Sequence, residues 1–194
     1  MTKQTKIILA STSPRRKALL TRILKGYKII ASNYQEDMTL KLEPRELAKT
    51  LSHGKASEVA KREQGIIIAA DTFISLDNEV LGKPHTPENA EKMLKKLSGK
   101  THEIITGLTI INTETKEEIR ECEITRITFK ELTDKEIQKY IATKEPLDKA
   151  GAYALQGMAK KFILKLEGSR TNAIGLPLEK LAELLNKMGV KTKQ

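Results

Sequence analysis

The chain has 194 residues, and its 39% hydrophobic and 31% charged makeup is that of one globular domain spanning 1–194, since disordered chains lack the apolar side chains that offset ordering entropy. Thirty-five Lys and Arg against 25 Asp and Glu leave a net charge of +10, which suits polyanions. The absence of Trp, with only 4 Tyr and 3 Phe, argues against single-strand binding by stacking, so the expected partner is a small phosphorylated ligand, with no nucleic acid and no membrane.

The first apolar run, Ile7 to Ala10, reads as a short buried strand. It is too short for a signal peptide or a membrane span, and Lys3 and Lys6 beside it do not change that, so a cytoplasmic protein is expected. Ser13-Pro14 then opens a helix striped by Ala18, Leu19, Ile23 and Leu24. Pro44 begins a second helix with Leu47, Leu51 and Val59 on one side. Gly65 to Ala70 is a continuous apolar run suited to a central strand that ends at Asp71. A turn is expected at Asp77-Asn78, and a helix from Thr86-Pro87 to the stop at Gly99.

Two long strands, His102 to Asn112 and Ile119 to Leu132, are expected to pair antiparallel across Thr113–Glu118. The single Cys122 lies in the second of them, in an alternating stretch, and reads as a plain strand residue; alone, it excludes an intrachain disulfide. Thr133-x-x-Glu136 is a capping box for a helix containing Ile137, Tyr140 and Ile141. Glu145 to Gly157 has neither period and reads as a long functional loop. Phe162 to Leu166 returns as a strand, Gly175-Leu176-Pro177 launches the last helix, and the basic end from Lys191 is expected to fray.

Chemistry concentrates at a few of these places. Ser11, Ser13, Arg15 and Arg16 sit where a strand passes into a helix, so backbone N–H groups and the positive helix end meet there. Two arginines in a first helical turn oppose the helix dipole, a conflict that a bound phosphate would relieve; a capped helix with solvated arginines has the same sequence. Asp71 is a carboxylate at the edge of an apolar run, where it needs a metal, a partner or a task, unless it merely caps a turn. Lys55 shares the apolar stripe of Leu51 and Val59, and Lys83 stands in the stiff Gly82-Lys83-Pro84 turn, although snorkelling and simple exposure remain open for these two. Glu36 and Asp37 are adjacent loop acids of the kind that hold a hard cation or simply face water. His53, His85 and His102 lack zinc-site spacing, and the P-loop, dinucleotide-binding and serine-hydrolase signatures are all missing.

These residues fall inside a longer ordered series. Ile8-Leu9-Ala10-Ser11-Thr12-Ser13-Pro14-Arg15-Arg16 resembles the opening signature of the Maf family. Lys55-Ala56, Ala70-Asp71-Thr72, Leu81-Gly82-Lys83-Pro84, Leu97-Ser98-Gly99-Lys100-Thr101-His102, Glu145-Pro146-Leu147-Asp148-Lys149-Ala150-Gly151-Ala152-Tyr153 and Leu155-Gln156-Gly157 follow in the family's order. The resemblance implies a mixed, elongated and twisted α/β sheet flanked by helices, with two lobes around a central cleft, related to inosine triphosphate pyrophosphatases and frequently homodimeric. It implies hydrolysis of nucleoside triphosphates between the α and β phosphates with Mg²⁺ or Mn²⁺. By the same resemblance Asp71 is the catalytic base, Glu36 a metal-site or water-orienting acid, and Arg15, Arg16, Lys55 and Lys83 the phosphate and substrate contacts. Ser11, Ser13 and Thr72 fall within the matching substrate-binding motifs, and Gln156 matches the residue that reads the nucleobase. Arg15 and Gln156 resemble the branch that prefers dTTP, UTP and CTP; the branch that prefers 7-methyl-GTP has a tryptophan and a glutamate there. Arg170 and Met158-Ala159-Lys160-Lys161 depart from the family pattern. A regulator of cell division with little turnover is the competing reading.

Overall fold

The computed structural model describes residues 5–193, so Lys3 and the terminal Gln194 lie outside the described residues. Strand β1 (Ile7–Leu9) passes into helix α1 (Pro14–Ile23), β2 (Lys28–Ile29) and α2 (Pro44–Ala60). Next come β3 (Ile66–Leu76), β4 (Glu79–Leu81), α3 (Pro87–Leu97), β5 (Thr101–Asn112), β6 (Glu118–Phe129) and α4 (Asp134–Ile141). Strand β7 (Ile163–Glu167), α5 (Arg170–Ile174) and α6 (Leu178–Lys187) complete the chain.

Helices α1, α3 and α4 start where a side chain satisfies one of their first N–H groups. Ser13 and Thr86 cap α1 and α3 by accepting from Arg16 N and Asn89 N, each with a proline in the first helical turn. The capping box of Thr133 and Glu136 starts α4 as expected.

The strands form a mixed seven-stranded sheet in the order β2-β1-β3-β5-β6-β7, with β4 pairing β3. Strand β1 runs parallel to β2 and to β3, while β4 and β7 run antiparallel to β3 and β6. Asn112 N donates to Glu117 O at 2.9 Å, Glu103 meets Arg126 and Thr101 meets Thr128, so β5 and β6 pair antiparallel as their sequences predict. Asp77 and Asn78, at φ of 52° and 64°, form the expected turn between β3 and β4. This is the α/β class expected: a mixed sheet flanked by helices.

Several boundaries differ from expectation. The strand of the Gly65–Ala70 run does not end at Asp71 but continues to Leu76, because Phe73, Ile74 and Leu76 are buried in turn. Strand β6 stops at Phe129, ahead of the capping box. The aperiodic stretch from Glu145 contains 3-10 turns at Glu145–Asp148 and Ala150–Ala152, and a third follows at Met158–Phe162. The basic end is held at Lys193, whose N donates to Ile23 O at 2.8 Å. Strands β2 and β4 and helix α5 were not foreseen.

The chain divides into two compact units. The first holds residues up to Asp71, Thr106–Glu123 and the segment from Gly175; the second holds Thr72–Ile105 and Ile124–Ile174. In the first, Ala56 and Val59 of α2 pack on Ile8, Ala10, Ile67 and Ala69. In the second, Leu94 and Leu97 of α3, Ile137 and Tyr140 of α4, and Phe129 and Phe162 share a core. Among the described residues no helix is long and apolar enough to cross a membrane.

Candidate active site

Strand alternation puts Asp71 on the same sheet face as Ile67 and Ala69, the face that α2 covers. On α2, Lys55 follows Leu51 by four residues and precedes Val59 by four, so the stripe that packs on the strand also carries an ammonium. The two charges meet: Lys55 Nζ donates to Asp71 Oδ1, with 13% of the lysine and 9% of the aspartate side chain exposed. A carboxylate this deep requires such a partner. Lys55 Nζ also lies 2.7 Å from Glu36 Oε1, so one ammonium joins the central strand to the loop after β2.

That loop is fastened to α2 by residues outside the expected set. Glu58 accepts from Asn33 N at 2.9 Å and from Arg62 Nε at 3.0 Å, and Arg62 also donates to Ala31 O. These bonds pull the Glu58 carboxyl down to about 2. Tyr34 lies against the helix at Gly54, where an added Cβ would come within 2.3 Å of the ring. A helix-interior glycine costs about 1 kcal/mol relative to alanine, so Gly54 was the available signal of a close approach. The neighbouring acids part company here: Glu36 reaches Lys55, whereas Asp37 accepts from Thr39 Oγ1 at 2.6 Å and Thr39 N at 2.9 Å in a local turn that lowers its pKa.

The loop between β1 and α1 brings its hydroxyls and one arginine together. Arg16 Nη1 donates to Ser11 Oγ at 3.4 Å, its Nε donates to Gly175 O at 2.9 Å, and Ser13 N donates to Ser11 Oγ at 3.2 Å. Burial lowers the Arg16 pKa, and the nearby charges of Asp71 and Glu36 oppose that shift. Arg16 therefore shares the electrostatic field of the Glu36–Lys55–Asp71 group, while Arg15 stays exposed on the first turn.

Glu36 and Asp71 supply hard carboxylate oxygens converging on one cationic position, a donor set that fits a Mg²⁺- or Mn²⁺-like cation taking one or two carboxylates plus phosphate oxygens. Among the described residues no group of three or more His, Cys, Asp or Glu converges, so a softer, protein-rich cage is not built. The Cys122 thiol is pushed up to about 11 by burial, in keeping with a plain strand residue.

Thr72, Lys83 and Gln156 belong to the second unit. Thr72 follows Asp71 in β3 and, by alternation, faces the other side of the sheet. Lys83 is exposed in a turn stitched by Gly151 N to Gly82 O at 2.9 Å and His85 N to Leu147 O at 3.1 Å. Gln156 is exposed between buried Leu155 and half-buried Gly157.

Residues 6–188 match the family described as Maf-like protein. The chain belongs to the Maf family. A Maf relative from Methanosarcina mazei, named a dTTP/UTP pyrophosphatase, is 47% identical over 187 residues, covering 95% of each chain. One of the same name from Alkaliphilus oremlandii is 45% identical over 181 residues, covering 92% of this chain and 94% of its own. Among solved structures, the Staphylococcus aureus Ham1 protein shares the fold, with a TM-score of 0.54 at 15% identity over 94% of this Maf chain and 99% of its own.

Proposed function

We propose that this Maf chain hydrolyses dTTP and UTP, with CTP and modified pyrimidine nucleotides as further substrates, to the nucleoside monophosphate and pyrophosphate. The observation that carries the reading is the joining of Glu36 and Asp71 by Lys55, beside an arginine-bearing helix N-terminus, in a chain 45–47% identical to proteins named dTTP/UTP pyrophosphatases. In the reaction a water oxygen bonds to the α-phosphorus, the bond from that phosphorus to the bridging oxygen breaks, and pyrophosphate leaves with the electron pair. Catalysis of this kind is positioning plus neutralisation of charge.

Asp71 takes the proton from the attacking water. Lys55, which holds Asp71 in the free protein, has phosphate oxygens as alternative acceptors once substrate arrives, and that exchange releases the carboxylate to the water. Arg16, Arg15 and Lys83 balance the charge of the triphosphate, and the Ser11 and Ser13 hydroxyls and the positive end of the α1 dipole add neutral stabilisation. Glu36 and Asp71 are the carboxylates that would hold Mg²⁺ or Mn²⁺, which supplies further neutralisation of the phosphate oxygens. The Gln156 amide offers one acceptor and one donor set, matching the N3–H and C4=O edge that thymine and uracil share.

Pyrophosphate release from dTTP, UTP, CTP, 7-methyl-GTP, ITP and ATP with Mg²⁺ or Mn²⁺ tests the reading. Turnover is expected on the pyrimidine nucleotides and lost by about 10²-fold or more in Asp71→Asn. A folded variant with turnover near wild type removes Asp71 as the base, and silence of the wild type on every nucleotide removes the activity. The homodimer implied by the family resemblance and the cytoplasmic location expected from the short first apolar run belong to the same proposal, and light scattering tests the first.

A further inference from the structure

The second unit carries a buried phenol and a carboxylate that the phosphate chemistry does not use. Tyr140, in the last turn of α4, is fully buried, and its hydroxyl donates to Glu145 Oε1 at 2.9 Å. The same hydroxyl accepts from Ala154 N at 3.3 Å. The other carboxylate oxygen, Glu145 Oε2, accepts from Met158 N at 3.3 Å. Between these contacts the carboxylate lies against Gly157, where an added Cβ would sit 1.7 Å from Glu145 Oε1, so a side chain there would push the carboxylate out of this position. Ala154 and Met158 stand two residues to either side of Gln156. One tyrosine–glutamate pair therefore pins both ends of the five-residue stretch whose middle is the exposed glutamine.

We propose that Glu145, held by Tyr140, is a positioning residue for nucleobase selection: it fixes the backbone of 154–158 so that the Gln156 amide is presented in one orientation. The inference rests on the reading of Gln156 as the residue that meets the base. The chemistry of the pair is specific. A carboxylate is acceptor-only and can take the phenol proton on one oxygen and a backbone N–H on the other, whereas a glutamine here would turn its amide donor toward one of those two donors. Burial and the adjacent carboxylate both raise the Tyr140 pKa, so the phenol keeps its proton and donates. The bond is charge-assisted and half-sheltered from water, where a bond to an ionised acceptor is worth more than a neutral one. An exposed side chain on an unpinned loop would pay ordering entropy each time it met a base, and pinning removes that cost from binding.

The test compares wild type with Glu145→Gln and Tyr140→Phe, measuring kcat and KM for UTP, dTTP and CTP together with amide hydrogen exchange at Ala154 and Met158 without nucleotide. Glu145→Gln is expected to raise KM for UTP and dTTP about tenfold, the loss of one bond to a charged group, with kcat within about twofold and the preference over CTP narrowed. Exchange at both amides should quicken, and Tyr140→Phe should move each quantity the same way by less. The proposal is overturned if folded Glu145→Gln keeps wild-type KM values and exchange, or if kcat and KM change alike for every nucleotide. Should Glu145→Gln not fold, Tyr140→Phe carries the same two outcomes. Should wild type turn over no nucleotide, the activity falls, and exchange at Ala154 and Met158 alone decides whether the clamp exists.

Discussion

Removing Lys55 alone leaves two carboxylates facing one another where one ammonium had joined them, and the Asp71 side chain is only 9% exposed. An uncompensated buried charge is among the costliest single defects, so Lys55→Met is expected to lower unfolding free energy by about 2–3 kcal/mol as well as abolish turnover. Asp71→Asn keeps the Lys55–Glu36 contact and should cost less, on the order of 1 kcal/mol. Combined, the two substitutions should cost less than their sum by about 1–2 kcal/mol, because the second removes the charge that the first stranded. Denaturant melts of the four proteins read this directly, and strict additivity would mean that the pair is not coupled. At this scale the sequence was informative about charge and silent about backbone. Asp71 after an apolar run and Lys55 within an apolar stripe each announce a buried charge in need of a partner. Tyr34 announces nothing, because its partner is the bare backbone at Gly54, two strand-free segments away in the chain.

Among the elements, the contact of the Glu36 loop with α2 sets where a carboxylate stands relative to Lys55. Gly54→Ala should favour the helix intrinsically by about 1 kcal/mol, yet the new methyl would need the space of the Tyr34 ring. Where the ring carries the loop with it, the loop moves away from the helix against the bonds from Asn33 N to Glu58 and from Arg62 to Ala31 O. Turnover is expected to fall by about 10²-fold, the usual consequence of a misplacement near 1 Å, with helix content unchanged by circular dichroism. Wild-type turnover would show that Tyr34 does not set the position of Glu36. Element boundaries were legible where caps or glycines mark them, as at Thr86, Thr133 and the Asp77-Asn78 turn. They were not legible in β3, whose apolar run is interrupted by Asp71 and Thr72 although the strand continues, because a polar pair inside a strand looks like its end. Strands of two and three residues, β2 and β4, are too short to show a period at all.

For the whole molecule, the titrating groups of the two units predict how stability follows pH. His102, 2% exposed in the second unit, stands edge-on to Phe129 and Tyr153, and its Nε2 lies 2.6 Å from the Tyr153 hydroxyl. Burial lowers its pKa from 6.5 to about 4, so the folded protein holds the neutral ring while the unfolded chain binds a proton below pH 6.5. Stability from this group is fully present above pH 6.5, falls as the pH drops toward about 4 and levels off below. The fall from 6.5 in the unfolded chain to about 4 in the fold sets the full loss at about 3 kcal/mol. The carboxylates act in a lower window: Glu58 in the first unit and Glu136 in the second are lowered from 4.5 to about 2, so their contribution is present above pH 4.5 and lost as the pH falls through about 2. Acid should therefore weaken the fold in two stages, the first carried by His102. His102→Gln, which keeps a polar group toward Tyr153 but cannot take up a proton, should be less stable than wild type at pH 7.5 and lose about 2.5 kcal/mol less between pH 7.5 and 4.5. Equal losses in the two proteins over that interval would place the first stage on other groups and leave His102 as packing alone.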